Sequence, residues 1–135
     1  MEDRRRRPLH AYTHNWHANA ALNLALKHFF AEGPENAFRR HAEAAACCRA
    51  RAKELGLRLY AADEALCSPT VTALMVPDGW TWKEFDAALR AEGLAVGGSY
   101  GPLAGRVFRV GHMGSQADIG LVGKGMDVIA KVLKK

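Results

Sequence analysis

Gly105-Arg106-Val107-Phe108-Arg109-Val110-Gly111-His112-Met113-Gly114 decides how the rest of the chain is read. Its β-branched and aromatic residues predict a strand over 106–111 that runs into a glycine-punctuated loop ahead of a helix. A strand turns successive side chains to opposite faces. Val107, Arg109 and Gly111 therefore share one face, and Phe108 and Val110 share the other. With Phe108 and Val110 on the core, Arg109 points out of it near the strand's end. A guanidinium there is planar, permanently charged and able to hold a carboxylate through two parallel hydrogen bonds.

Downstream, Ser115-Gln116-Ala117-Asp118 reads as a capping-box-like helix start. Ile119, Val122, Met126, Ile129 and Leu133 follow as the inner face of that helix. Gly120, Gly123 and Gly125 weaken it by about 1 kcal/mol each relative to alanine, so tertiary packing must hold its first half. Upstream, residues 94–105 carry Gly97, Gly98, Gly101, Gly105 and Pro102, with Gly93 just before them. Such a stretch is a loop or strand margin where backbone comes close to something. Before it, Thr81 and Glu84 form a capping box for a helix over 82–92, with Phe85, Ala88 and Leu89 on its apolar face.

Two more strands are expected, a short one over 57–60 and a stronger one over 70–76. Two helices come first. One spans 16–31, with Asn15 as N-cap, Gly33 as stop and an apolar stripe of Trp16, Leu22, Leu26, Phe29 and Phe30. The other spans 34–55 and carries Phe38, Ala42, Ala45, Cys48, Ala52 and Leu55 at helical spacing, closed by Gly56. The order is helix, helix, strand, strand, helix, strand, helix. This is an α+β fold, a small sheet covered by helices, occupying 16–135 as a single domain behind an irregular basic segment over 1–15.

Composition agrees with an ordinary globular domain: 135 residues, 49% hydrophobic and 24% charged. No apolar run reaches the ~18–20 residues of a membrane helix, and no signal-type apolar stretch follows the N-terminus, so cytoplasmic residence and no membrane partner are expected. The net charge of +5 owes much to Arg4, Arg5, Arg6 and Arg7. Such a run attracts nucleic acid or an anionic surface, but no aromatic residues interleave it to stack on bases, so a solvated end is the expectation. His10, His14 and His17 would share a face if helical, yet no acidic or cysteine ligand stands near them in sequence, and no metal site is expected. Cys47, Cys48 and Cys67 form no metal-spaced motif and read as ordinary thiols of a reducing compartment.

Taken together, Pro69-Thr70-Val71-Thr72, Pro77-Asp78-Gly79, Gly97-Gly98-Ser99-Tyr100-Gly101 and Val107-Phe108-Arg109-Val110-Gly111-His112-Met113-Gly114 carry a family resemblance. The chain resembles the C-terminal small domain of class V aminotransferases, the fold-type I pyridoxal-phosphate enzymes, in their alanine–glyoxylate or serine–pyruvate branch. The preceding helices, with Glu32-Gly33, Glu35-Asn36 and Arg40-His41, resemble that branch too, so the likeness spans about residues 10 to 134.

The resemblance implies that Arg109 grips the α-carboxylate of the amino acid substrate. It also implies that Thr13, with Tyr12 beside it, contacts the cofactor phosphate of a neighbouring subunit. The chain departs from the family's Tyr-x-x-Thr-Pro segment there: His10 stands in the tyrosine position, Tyr12 is displaced by two, and His14 replaces the proline. The family's Schiff-base lysine, the acidic partner of the pyridine nitrogen and the ring-stacking aromatic belong to a large domain upstream. The expectation is therefore the small domain of an enzyme that moves an amino group between a small amino acid and a 2-oxo acid. The chain contributes no catalytic residue of its own, does not bind the cofactor alone and is inactive alone. Its expected partner is a missing large-domain chain or a second copy. The alternative is a stand-alone interaction or dimerisation module, for which the apolar stripe of the first helix speaks.

Overall fold

A computed structural model describes residues 14–134, which fall into two compact units divided after Pro34. In the first lies α1, Trp16–Glu32. The Asn15 side chain accepts the Ala18 N–H at 3.0 Å, and Gly33, at φ 88°, ends the helix by returning its N–H to Phe29 O. A left-handed φ of that kind suits glycine, which has no Cβ to clash. No residue of α1 is buried, and Trp16, Leu22, Leu24, Leu26 and Phe30 all stand exposed.

The second unit holds the sheet and the remaining helices. The long helix α2, Pro34–Glu54, buries Ala37, Ala44, Ala45, Cys48 and Ala52. Phe38 and Ala42, expected on that stripe, are exposed instead. Small side chains let a helix axis approach its neighbour closely, and the inner line 37–44–48–52 is the one that does so. Gly56 reverses the chain at φ +74°, with Leu57 N–H donating to Ala52 O.

Three antiparallel strands form the sheet: β1, Val71–Met75; β2, Gly97–Gly98; and β3, Val107–Gly111, in the order β1-β3-β2. Residues 57–60 make a single bridge, Leu59 to Leu74, rather than the expected strand. The following turn, Glu64–Leu66, is tied back to α2: Arg49 reaches Glu64 at 2.8 Å, and Lys53 pairs with the same carboxylate. Those two cations hold the Glu64 carboxyl below the usual range.

Thr72, Leu74 and Phe108 are fully buried on the sheet's inner face. Over them pack α3, Trp82–Ala91, through Phe85 and Leu89, and α4, Ile119–Leu133, through Val122, Met126, Ile129 and Val132. Phe85 meets Phe108 edge-on at 5.3 Å, and Trp82 stacks on Phe108 at 6.0 Å. The Thr81–Glu84 capping box is present. At the start of α4 the cap is Asp118, whose carboxylate accepts Leu121 N–H at 2.8 Å, while Ser115 lies in the short turn before it. The fold is the expected α+β arrangement, a small sheet covered by helices.

Candidate functional site

β3 delivers Arg109 to the sheet face opposite Phe108, where its neighbours across the strands are Ala73 of β1 and Gly97 of β2. The side chain leans over β2. A Cβ added at Gly97 would lie 3.5 Å from Arg109 Nη2, in ordinary van der Waals contact, so the guanidinium lies directly over this residue. Gly98 O accepts from both Nε at 3.0 Å and Nη2 at 2.7 Å. A guanidinium has five N–H donors. The Gly98 carbonyl engages the side edge, formed by Nε and Nη2. The end edge, formed by Nη1 and the other Nη2 hydrogen, keeps the fork geometry that matches a carboxylate.

Two aromatic residues frame this arrangement. A Cβ at Gly98 would fall 2.8 Å from Trp82 Nε1, so the indole presses directly on the glycine that holds the arginine. Trp82 in turn rests on Phe108, which links the open face to the core. Arg109 Cζ lies over the Tyr100 ring, 5.7 Å from its centroid. Beyond Arg109 on the same sheet face, Val71 and Ala73 line an open, largely apolar pocket of about 220 Å³ with Tyr60, Leu66, Cys67 and Ser68.

Past β3, His112 turns inward. It is fully buried, its Nε2 lies 2.8 Å from Thr72 Oγ1, and its N–H donates to Thr70 O. Burial pushes its pKa below the ordinary value of 6.5, so the ring is neutral at pH 7. His112 braces β3 against β1 and makes no bond to Arg109. The loop that follows is held from α2. Arg40 Nη1 donates to Gly114 O at 2.7 Å and to Ala117 O at 2.8 Å, and His41 Nε2 accepts Gly114 N–H at 2.9 Å. His41 Nδ1, 2.7 Å from Ala37 O, is then the protonated nitrogen of a neutral ring.

Thr13 and Tyr12 lie outside the described residues, as do His10 and the four consecutive arginines. Among the described residues no group of three His, Cys, Asp or Glu side chains is placed to hold a metal ion. Cys48 is buried, and burial raises its thiol above the ordinary pKa; Cys47 and Cys67 are half-buried thiols.

A pyridoxal phosphate site needs an amine for the aldehyde, an aromatic platform for the ring and a carboxylate for the ring nitrogen. The described lysines do not fit that need. Lys53 and Lys131 are paired with Glu64 and Glu92, and Lys27, Lys83, Lys124 and Lys134 stand exposed on or beside helices. The open hollow beside Lys131 and Lys134 has no aromatic wall, and its Asp127 is held by Arg51 at 2.6 Å.

Sequence reasoning placed Arg109 correctly on the outward face, but it did not find the Gly98 carbonyl, Trp82, Tyr100, or Arg40 and His41 as loop braces. The Gly97-Gly98 pair was the available signal, since it marked a close backbone approach.

No family model matches the chain. Individual proteins do. The alanine–glyoxylate aminotransferase of Callithrix jacchus is 38% identical over 105 residues, covering 77% of this chain and 24% of its own length. The pyridoxamine–pyruvate transaminase of Mesorhizobium japonicum is 39% identical over 97 residues, covering 71% of this chain and 25% of its own length. The crystal structure of an alanine–glyoxylate aminotransferase from Nostoc sp. superposes with a TM-score of 0.84 at 31% identity, over 93% of this chain and 33% of that one. The chain thus spans about a quarter of the length of these two curated relatives.

Proposed function

We propose that this chain, which in sequence and fold is a C-terminal small domain of the class V aminotransferase type, supplies the substrate-carboxylate anchor of such an enzyme. The reaction is amino transfer between a small amino acid such as alanine or serine and a 2-oxo acid such as glyoxylate or pyruvate. Both partners of that reaction carry a carboxylate next to the reacting carbon, so one cationic fork serves both half-reactions. The observation that carries the reading is the Arg109 guanidinium, held by its side edge on the Gly98 carbonyl with no bond from Nη1 among the described residues. Holding the carboxylate in one orientation turns a diffusional encounter into a positioned one.

Pyridoxal phosphate supplies the family's electron sink when bound. In this reading its lysine and its ring partners come from a large domain. Thr13, with Tyr12 beside it, is what this chain lends to the cofactor phosphate. The open face around Val71, Ala73 and Tyr60 is where that large domain docks.

The test is to saturate the purified chain with pyridoxal phosphate, reduce with borohydride and weigh the product. The expected result is only scattered substoichiometric labelling. A stoichiometric adduct at one lysine would place a cofactor site within these residues and overturn the division of labour.

A second reading is favoured by α1, whose Trp16, Leu22, Leu24, Leu26 and Phe30 are exposed. In it, the chain is an interaction module that pairs with its own copy. Sedimentation without cofactor tests this second reading. A stable dimer supports the module, and a monomer removes it.

A further inference from the structure

We propose that Tyr100 is a positioning residue for the carboxylate anchor, holding the Arg109 cation over its ring while the Gly98 carbonyl sets its edge. The inference rests on reading Arg109 as that anchor.

Gly98 O is one acceptor for two donors. Two bonds that converge on a single oxygen leave the guanidinium free to rock about it. That motion would swing the end edge away from a bound carboxylate. A ring under the cation opposes it, because the quadrupole of an aromatic face attracts a cation. Tyr100 is placed for this, with Arg109 Cζ 5.7 Å from the ring centroid.

The packing of the core does not account for Tyr100's position, since the residue is 84% exposed. Its loop holds it there. Tyr100 O accepts Leu103 N–H at 3.2 Å, and Ala104 N–H closes on Gly101 O at 3.0 Å, in a turn that Gly101 permits with φ +55°. Edge and ring together restrict that motion, with Nη1 outside the bonds to Gly98. The role is specific to the ring and not to the hydroxyl, so phenylalanine serves and leucine does not.

The experiment uses the isotopically labelled full chain, pyruvate as probe, and the variants Tyr100→Leu and Tyr100→Phe. Nuclear magnetic resonance reads the Arg109 Nε–H signal and its titration, and thermal melts confirm that each variant is folded. In the parent chain the ring current is expected to shift that signal upfield, and pyruvate is expected to move it. Tyr100→Leu loses the upfield shift and binds pyruvate about two- to five-fold more weakly, the range of an exposed cation–π contact. Tyr100→Phe retains both properties. A Tyr100→Leu chain with unchanged pyruvate affinity overturns the role of Tyr100, whether or not the ring-current shift is lost, and leaves the anchor intact. A parent chain whose Arg109 signal ignores pyruvate overturns the anchor, and this inference falls with it.

Discussion

The two faces of the three-stranded sheet are cut from the same strands by alternation, yet they do opposite things. Thr72, Leu74 and Phe108 face inward and are fully buried among Phe85, Leu89, Met126 and Ile129. Ala73, Arg109 and Gly97 face outward, half-buried or exposed, with a charged group held over glycine. The inner face is made of bulk, and its worth is stability. On the outer face Arg109 lies over Gly97 and is directed by the backbone carbonyl of Gly98, whose missing side chain would point inward onto Trp82. The worth of this face is recognition. Substitutions on the two faces should therefore separate folding from binding.

The largest effect is expected from Phe108→Ala. It empties the centre of the inner face, where Phe85 and Trp82 both meet the ring, and should cost about 3–5 kcal/mol in a denaturant melt. A loss under about 1 kcal/mol would mean that the inner face is not the core.

Gly98→Ala comes next and tests whether the faces are coupled. Its methyl would lie 2.8 Å from an indole that rests on Phe108, so backbone or Trp82 must shift. The expected cost is about 1–3 kcal/mol, together with loss of the Gly98–Arg109 hydrogen bonds. Wild-type stability with Arg109 undisturbed would show that Trp82 does not brace the glycine.

A smaller effect concerns acid. His112 has its pKa lowered in the folded state by burial, so the unfolded chain binds the proton more readily. Stability is then complete above about pH 6.5 and falls as pH drops through that value toward the folded-state pKa. The Glu64 and Glu84 carboxyls, held below their usual range, contribute their own losses at lower pH. Melts from pH 7.5 to 5 should show the decline, and His112→Gln should flatten it. A parent chain equally stable across that range would contradict the buried neutral ring.

Much of this fold was legible because strong local signals agreed with the tertiary arrangement. β3 and the outward aim of Arg109 follow from two-residue alternation, and α3 follows from Thr81 and Glu84. The phase of α2 was misread because residues 42–46 are nearly all alanine and offer little contrast between faces, so Phe38 drew the stripe toward itself. The strand expected at 57–60 is one bridge, Leu59 to Leu74. The chain then enters a turn whose Glu64 is held by Arg49 and Lys53 of α2, contacts that a local strand pattern does not contain. The Gly98 carbonyl was out of reach for a related reason. Residue types indicate which side chains are present, but the direction of a backbone oxygen appears only once the strands are paired.

Arg109→Ala should change folding least, by within about 0.5 kcal/mol, since the side chain is anchored to one carbonyl on an open face. It is also the most direct probe of the central claim, that the outer face is a carboxylate anchor. The measurement is the affinity of the parent chain and of Arg109→Ala for pyruvate, by titration calorimetry at low salt. The account predicts weak but saturable binding by the parent and at least a tenfold loss in the variant. Equal affinity in the two chains would contradict it.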